Sequence, residues 1–508
     1  MKPDRGWASV LPRIHLGDVI AGVSVAFVLI PQALAYAQLA GMPPQHGLYA
    51  AILPPIAAAV FASSPYLQTG PATVSSLLTL GALSVLAVPE TPRYVQLAAV
   101  LAIVVGVVRV TFGLMRWGWI AYLMSQPVIV GFTSGAAILI IASQIPTALG
   151  VTGFEGGIIG RALTVVVHPE VWEPAAVGLS AVTILLVLAG RRFHPVFPGV
   201  LVAVVVGVLF TTFTEYTGPI LGAIPLRLPP ITLALPWAAV PALVLPGIVI
   251  ALVGFAEPSA IARTYAMVDR KPWSPDREFV SQGVANLAAG LSGGFPVGGS
   301  FGRSSVTRLS GARTPWNGAI AGLVVLAFLP FGGVLAPLPQ SVLGAVVVAA
   351  VGRHLALGDL FRLWRFSIPQ AAIGGATFFL TLALAPRIDQ AVIVGMGLAG
   401  AVHIWRELRV RVDVAYADGT LSLAPEGVLF FGSAPTLEEA LVAALADHPD
   451  ATRLVLRLER LGRIDYTGAV ALRNVIEEGE RAGLRVEVQH VPPQAHGLVR
   501  RVIGRELS

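Results

Sequence analysis

The chain has no cysteine among its 508 residues and little charge, only 12%. Without thiols, disulfide frameworks, thiol catalysis and cysteine-based metal sites are excluded. A soluble globular chain carries roughly 25% charged residues. Half that proportion leaves too little polar surface to face water. With 55% hydrophobic residues and a mean hydropathy of +0.77, most of the chain must face lipid. A Gly-Lys-Ser/Thr phosphate loop is also missing, which argues against transport driven by the chain's own ATP hydrolysis. His46, His168, His194 and His354 stand isolated, without metal-ligand spacing. No Ser-His-Asp set follows from spacing, so a membrane-embedded enzyme lacks support. The formal charge of +6 would suit nucleic acid, but its distribution points to membrane orientation instead.

What the chain does have is a long series of apolar runs. A spanning helix needs about 20 mostly apolar residues. Candidate spans fall near 18–39, 47–63, 71–88, 95–115, 119–146, 175–191 and 196–213. A second set falls near 241–266, 278–292, 301–312, 315–335, 339–353, 367–385 and 388–406. The first run lacks the short hydrophobic core and cleavage site of a signal peptide and reads as a retained span. With the N-terminus inside, Arg109, Arg116, Arg191, Arg192, Arg263, Arg270, Lys271 and Arg277 fall on inner loops. Arg308, Arg313, Arg353, Arg362 and Arg365 join them. The outer loops hold scattered Arg93, Arg161, Arg227 and Arg387 among Glu155, Glu170, Glu173 and Glu215. This asymmetry places both termini in the cytoplasm.

Seven spans per half give halves of opposite orientation, an inverted repeat. The expected fold is a polytopic α-helical membrane protein of about 14 transmembrane segments in a 7+7 inverted repeat, with a small cytoplasmic α/β domain after it. Residues 1–17 form a cytoplasmic N-terminus and 18–406 the transport domain, with repeats at about 18–213 and 241–406; 410–508 form the α/β domain. In that last part charge is dense. Strands are expected at Gly419-Thr-Leu-Ser-Leu, Gly427-Val-Leu-Phe-Phe, Arg453–Leu458 and Leu484–Gln489. Helices are expected at Thr436–Leu445, Thr467–Ala482 and Leu498–Ile503.

The third element of each half is broken by Gly and Pro and rich in Ser. Gln68-Thr-Gly-Pro-Ala-Thr-Val-Ser-Ser76 matches Phe295-Pro-Val-Gly-Gly-Ser-Phe-Gly-Arg-Ser-Ser305 in this respect. Corresponding interrupted segments point to a binding site at the repeat interface; the plainer alternative is a pair of packing turns. Each would aim the N-terminus of a short helix at mid-membrane, where unpaired N–H groups and the helix dipole suit an anion. Thr73, Val74 and Ser75 facing Phe301, Gly302 and Arg303 would make an electropositive cradle. Arg303 adds a full charge if it points inward; otherwise it anchors at the cytoplasmic face or pairs with an acid.

Two further features lie within spans. Glu257, in Val253-Gly-Phe-Ala-Glu-Pro-Ser-Ala260, is an intramembrane acid, and such acids mark ion or proton pathways. The alternative is a structural ion pair with Arg263 or Arg303. In the first span Pro31 interrupts the hydrogen-bond ladder. Gln32 and Tyr36, four apart, share one face; they line an anion cavity or else belong to a kinked packing helix.

Ile30-Pro-Gln-Ala-Leu-Ala-Tyr-Ala-Gln-Leu-Ala-Gly-Met-Pro-Pro-Gln-His-Gly-Leu-Tyr49, followed by Thr69-Gly-Pro71, resembles the signature of bacterial members of the SulP (sulfate permease) family. Gly299-Ser-Phe-Gly-Arg-Ser-Ser305 and Gly311-Ala-Arg-Thr314 resemble its second-half motif. Leu456-Arg-Leu-Glu-Arg-Leu-Gly-Arg-Ile-Asp-Tyr-Thr-Gly-Ala469 resembles the STAS domain. The resemblance implies a core and a gate domain, with substrate between the short third and tenth helices. Gln32, Tyr36, Ala72, Thr73, Val74, Phe301, Gly302 and Arg303 would then line the site, with Glu257 as the eighth-helix acid. It also implies a homodimer in the bacterial cytoplasmic membrane. Thr467 stands where anti-sigma-factor antagonists carry a phosphorylated Ser; the simpler reading is that Asp465 or Thr467 caps the next helix. Gly302 stands where animal members often have Ser, so their substrate preference does not transfer.

The function expected is proton-coupled symport of a small anion, with dicarboxylate ahead of bicarbonate and sulfate, and with no cofactor beyond the coupling ion. Sodium coupling through the same acid, anion exchange, and an anion-sensing receptor signalling through a STAS-bound cytoplasmic protein are the alternatives. A nucleobase symporter would share the fold but not the first-span signature.

Overall fold

A computed structural model describes residues 12–122, 125–153, 156–193, 197–224, 227–352, 355–407 and 410–504. The chain divides into two compact units, Met1–Met396 and Gly397–Ser508. Expectations at Glu155, His194, Arg353 and His354, over the first eleven residues, and for the side chain of Arg191 lie outside the described residues.

The first half of the membrane unit comprises α1 (Leu16–Leu39), α2 (Gln45–Phe61), α3 (Thr73–Leu83), α4 (Pro92–Leu114), α5 (Gln126–Ala148), α6 (Ile158–Val167), α7 (Pro174–Phe193) and α8 (Gly199–Phe213). The second half comprises α9 (Val240–Asp269), α10 (Pro275–Leu291), α11 (Phe301–Leu309), α12 (Trp316–Phe328), α13 (Gln340–Val351), α14 (Leu357–Phe366), α15 (Ile368–Ala383) and α16 (Ile388–Glu407). Among the described residues, six helical segments are long and apolar enough to cross a membrane. Two short strands, β1 (Thr69–Gly70) and β2 (Gly298–Gly299), pair antiparallel.

The packing repeats with two-fold logic. α10 lies along α4 as α2 lies along α12; α9 packs on α4 as α1 packs on α12; α15 packs on α5 as α7 packs on α13. Both of the pairs α4–α10 and α2–α12 close on glycine. A Cβ added to Gly290 of α10 would meet the Ala99 carbonyl oxygen of α4 at 2.5 Å, and one on Gly322 of α12 would meet that of Ile52 on α2 at 2.5 Å. Backbones therefore touch, as small residues permit in membranes, where apolar side chains gain nothing by leaving lipid. α1–α4 and α9–α12 pack mainly on one another, and α5, α7, α8, α13 and α15 on one another, the two groups that the resemblance expects as core and gate.

Three sequence expectations change here. α6 and α14 are short helices where the sequence reading has connecting loops. At 10 residues each, they fall below the length a spanning-helix criterion detects. Arg109 is not on an inner loop: it sits within α4 and is fully buried. Arg263 and Arg308 likewise belong to helices, α9 and α11.

The second unit builds a five-stranded sheet from β3 (Arg411–Ala417), β4 (Thr420–Leu429), β5 (Arg453–Arg457), β6 (Leu461–Ile464) and β7 (Arg485–Gln489). Its helices are α17 (Ala434–Asp447), α18 (Tyr466–Arg481) and α19 (Pro493–Ile503). An Asp418-Gly419 turn with both residues at positive φ joins β3 to β4, the backbone that a tight hairpin needs. The two strands expected at 419–423 and 427–431 are largely one strand, β4. It runs through Pro425 and shifts register at Gly427, whose φ is +123°. Leu421, Leu423, Leu454, Leu456, Leu472 and Val475 close the core. The Tyr416 hydroxyl donates to Asp450 at 2.5 Å and holds that carboxyl below the ordinary aspartate range. Asp465, not Thr467, caps α18, accepting from the Gly468 N–H at 2.7 Å; Thr467 is exposed on the first turn.

Candidate functional site

A helix start leaves its first N–H groups without intrahelical partners. α3 begins after Ala72, which has no side chain to cap with, and α11 begins after Ser300, whose hydroxyl makes no capping bond. The amides of Thr73, Val74 and Ser75 thus open the first short helix, and those of Phe301 and Gly302 the second. The β1–β2 pair, with Thr69 opposite Gly299 and Gly70 opposite Gly298, brings the two starts together. A helix of 11 residues and one of 9 are too short to span, so both begin inside the protein.

The expected site residues do not all face the same way. Thr73, Val74 and Gly302 are partly exposed and Phe301 is 44% exposed. Gln32, Tyr36 and Ala72 are buried behind them. Ser75 turns inward: its hydroxyl lies 3.2 Å from where a Cβ on Gly254 or on Gly298 would sit. Arg303 is fully buried and so is not a cytoplasmic anchor. Its Nη1 donates to Gln32 Oε1 at 3.1 Å and its Nη2 to the Pro71 carbonyl at 2.8 Å, which ties α11 to α1 and to the approach to α3. Glu257 Oε1 accepts the Phe301 N–H at 3.0 Å. The acid of the eighth span thus occupies one of the amides at the start of α11. Beside it a recess runs along Gly302, Ser305 and Val306 of α11, between Val28 of α1 and the gate residues Val187 and Val200.

Sequence reasoning missed the residues that fix this geometry. Asn286 of α10 grips Val297 in both directions, donating to its carbonyl at 3.0 Å and accepting its N–H at 2.9 Å. Gln282 donates to the Thr69 hydroxyl at 2.6 Å, and the Gln68 side-chain amide donates to Asn317. The fully buried Glu278 accepts from Ser64 N at 2.9 Å and Ser63 N at 3.2 Å, closing the loop before β1. Asp18 does the same for the loop after α11, accepting from Arg313 N at 2.7 Å and Thr314 N at 2.9 Å. Arg109 donates to the carbonyls of Ala251, Val297 and Ile250 at 3.1, 3.0 and 3.1 Å. The signal for all of them was present: amides and charges inside apolar spans, which hydrocarbon tolerates only when they are paired.

Two short helices brought together at their starts within a bundle of inverted repeats fit a membrane transporter. The sequence comparisons carry this further. Residues 16–376 match the model of the sulfate permease family and residues 411–503 that of the STAS domain. The chain therefore belongs to the sulfate permease family and is a multi-pass membrane transporter of anions. It is 36% identical to a probable sulfate transporter of Mycobacterium tuberculosis over 72% of this chain and 67% of that one. It is 29% identical to a sodium-independent sulfate anion transporter of Bos taurus, over 92% and 82% of the respective chains. The fold is similar to that of the murine anion transporter solute carrier 26 member A9, with a TM-score of 0.87 at 18% identity over 97% of this chain and 88% of the other. It is also similar to the transmembrane domain of a cyanobacterial bicarbonate transporter, with a TM-score of 0.65 at 24% identity over 76% and 98%.

Proposed function

We propose that this protein is a secondary transporter that takes up a small divalent oxyanion or dicarboxylate together with a proton. The anion binds between the starts of α3 and α11, and Glu257 is the proton carrier. The observation that supports this most is the bond from the Phe301 N–H to Glu257 Oε1. An ionised Glu257 takes up a donor of the anion site and repels the anion; protonation removes the charge and frees the donor, so proton and anion bind together. Movement of the core against the gate then exposes the site to the other side. Fumarate is the dicarboxylate to test, and sulfate moves ahead of it because several relatives are named sulfate transporters.

The remaining assignments rest on the family and on the basic residues. The protein is proposed to be a homodimer in a bacterial cytoplasmic membrane with both termini in the cytoplasm, where the STAS domain is available to a protein partner. Thr467, exposed at the start of α18, is the position where a regulatory phosphate would act.

The test is uptake into proteoliposomes under an inward proton gradient, with and without Na⁺, using labelled sulfate, fumarate and bicarbonate. Uptake of one anion is expected to exceed its equilibrium level without Na⁺. Glu257→Gln is expected to lose gradient-driven accumulation while retaining anion-for-anion exchange. A Na⁺ requirement would favour sodium coupling. Uptake that ignores the gradient in both wild type and mutant would make Glu257 structural and the protein an exchanger or facilitator.

A further inference from the structure

Arg109 is a fully buried cation for which the anion cycle described above has no use. Among the described residues its recorded acceptors are backbone carbonyls, those of Ala251, Ile250 and Val297. Burying a guanidinium costs several kcal/mol, and a neutral side chain can hold such a carbonyl, as Asn286 does at Val297. The charge therefore calls for a reason beyond tethering.

Its position supplies one. A Cβ on Gly254 would lie 2.7 Å from Arg109 Nη2 and 3.2 Å from the Ser75 hydroxyl. The guanidinium thus sits directly behind the first turn of α3, across Gly254. Its Nη1 meanwhile holds Val297, the residue before β2 and the start of α11. Arg303 does the reverse: it belongs to α11 and holds Pro71, just before α3. Each short helix is thus backed by a buried cation that also grips the segment leading to its counterpart.

Resting on the anion-site reading, we propose that Arg109 is a positioning residue that supplies long-range positive potential to the anion site without touching the anion. It thereby biases the site toward divalent over monovalent anions. A unit charge at about 10 Å in a medium of effective dielectric about 20 changes affinity on the order of tenfold per charge on the anion.

The experiment uses the full chain in detergent. Half-saturation concentrations for sodium sulfate and sodium nitrate are read from the anion-dependent rise in melting temperature at constant ionic strength. Arg109→Gln is expected to raise the nitrate value about tenfold and the sulfate value about a hundredfold. Asn286→Ala, which loosens Val297 without removing charge, is expected to shift both by one common factor. Arg109→Lys keeps the charge but cannot reproduce a three-carbonyl grip, and is expected to hold the wild-type sulfate-to-nitrate ratio. Equal factors for the two anions in Arg109→Gln would overturn the proposal. If that variant does not fold, Arg109→Lys decides: a preserved sulfate-to-nitrate ratio, with or without a common loss of affinity, supports the proposal, and a ratio that falls about tenfold although the charge is kept overturns it. A wild type that saturates with neither anion would overturn the anion-site reading itself.

Discussion

Arg303→Ala is expected to abolish anion uptake and to destabilise the transport unit. The side chain is fully buried and holds both Gln32 Oε1 and the Pro71 carbonyl. Truncation leaves two buried acceptors unsatisfied, at about 1–3 kcal/mol each, and removes the cation at the base of α11. Position and charge fail together: α1 loses its tie to α11, and the approach to α3 loses the donor that fixes it. Arg303→Lys is expected to recover part of the stability and little of the transport, since one ammonium cannot reproduce a fork spread over two acceptors. The checks are sulfate uptake in proteoliposomes and melting of the purified protein. Uptake by Arg303→Ala within a factor of about three of wild type, well below the hundredfold that two lost charge-assisted contacts imply, would contradict the assignment.

Gly47→Ala is expected to be the most damaging single-methyl change in the first-span signature. A Cβ there would lie 2.0 Å from the Ala33 carbonyl oxygen and 2.5 Å from its carbon. Both atoms are backbone, so no side chain can swing aside and α2 must move off α1. That displaces the turn carrying Gln32 and with it the partner of Arg303. Overpacking of this kind costs about 3 kcal/mol or more, a fall in melting temperature of roughly 4 °C or more for a unit of this size. Gly375→Ala on α15, where nothing lies within 4 Å of the added carbon, is the control. It is expected to melt at or above the wild-type temperature, because alanine favours helix over glycine. Equal melting of the two variants would mean that α1 and α2 are not held in backbone contact.

Hydrophobic length made most of the membrane unit legible from sequence. Even the weak spans at 278–292 and 301–312 correspond to helices, α10 and α11, because Gly and Pro mark their ends. What stayed hidden has physical causes. α6 and α14 are shorter than any lipid-crossing run. Arg109 looks like part of an inner loop because it follows two valines near the end of a span; only the carbonyls of α9 and Val297 reveal that it is interior. β1 and β2 have two residues each, too few for periodicity, and pair across the two halves of the chain. In the α/β unit, Pro425 and Gly427 read as a break, yet β4 absorbs both through a register shift. At the site, the helix starts could be read from local sequence. The bonds that aim them, Arg303 to Gln32 and Asn286 to Val297, depend on tertiary proximity that no local pattern encodes.

An anion bound between the starts of α3 and α11, as proposed, would shield the residues there from a thiol reagent. Because the chain has no cysteine, single thiols can be placed by Val74→Cys and Gly302→Cys and their modification by N-ethylmaleimide timed in proteoliposomes. A saturating concentration of whichever anion the vesicles take up is expected to slow modification at both positions several-fold. It should leave a Thr467→Cys thiol, exposed on α18, reacting at its usual rate. Modification at positions 74 and 302 that proceeds unchanged in the presence of a transported anion would place the substrate elsewhere and contradict the account.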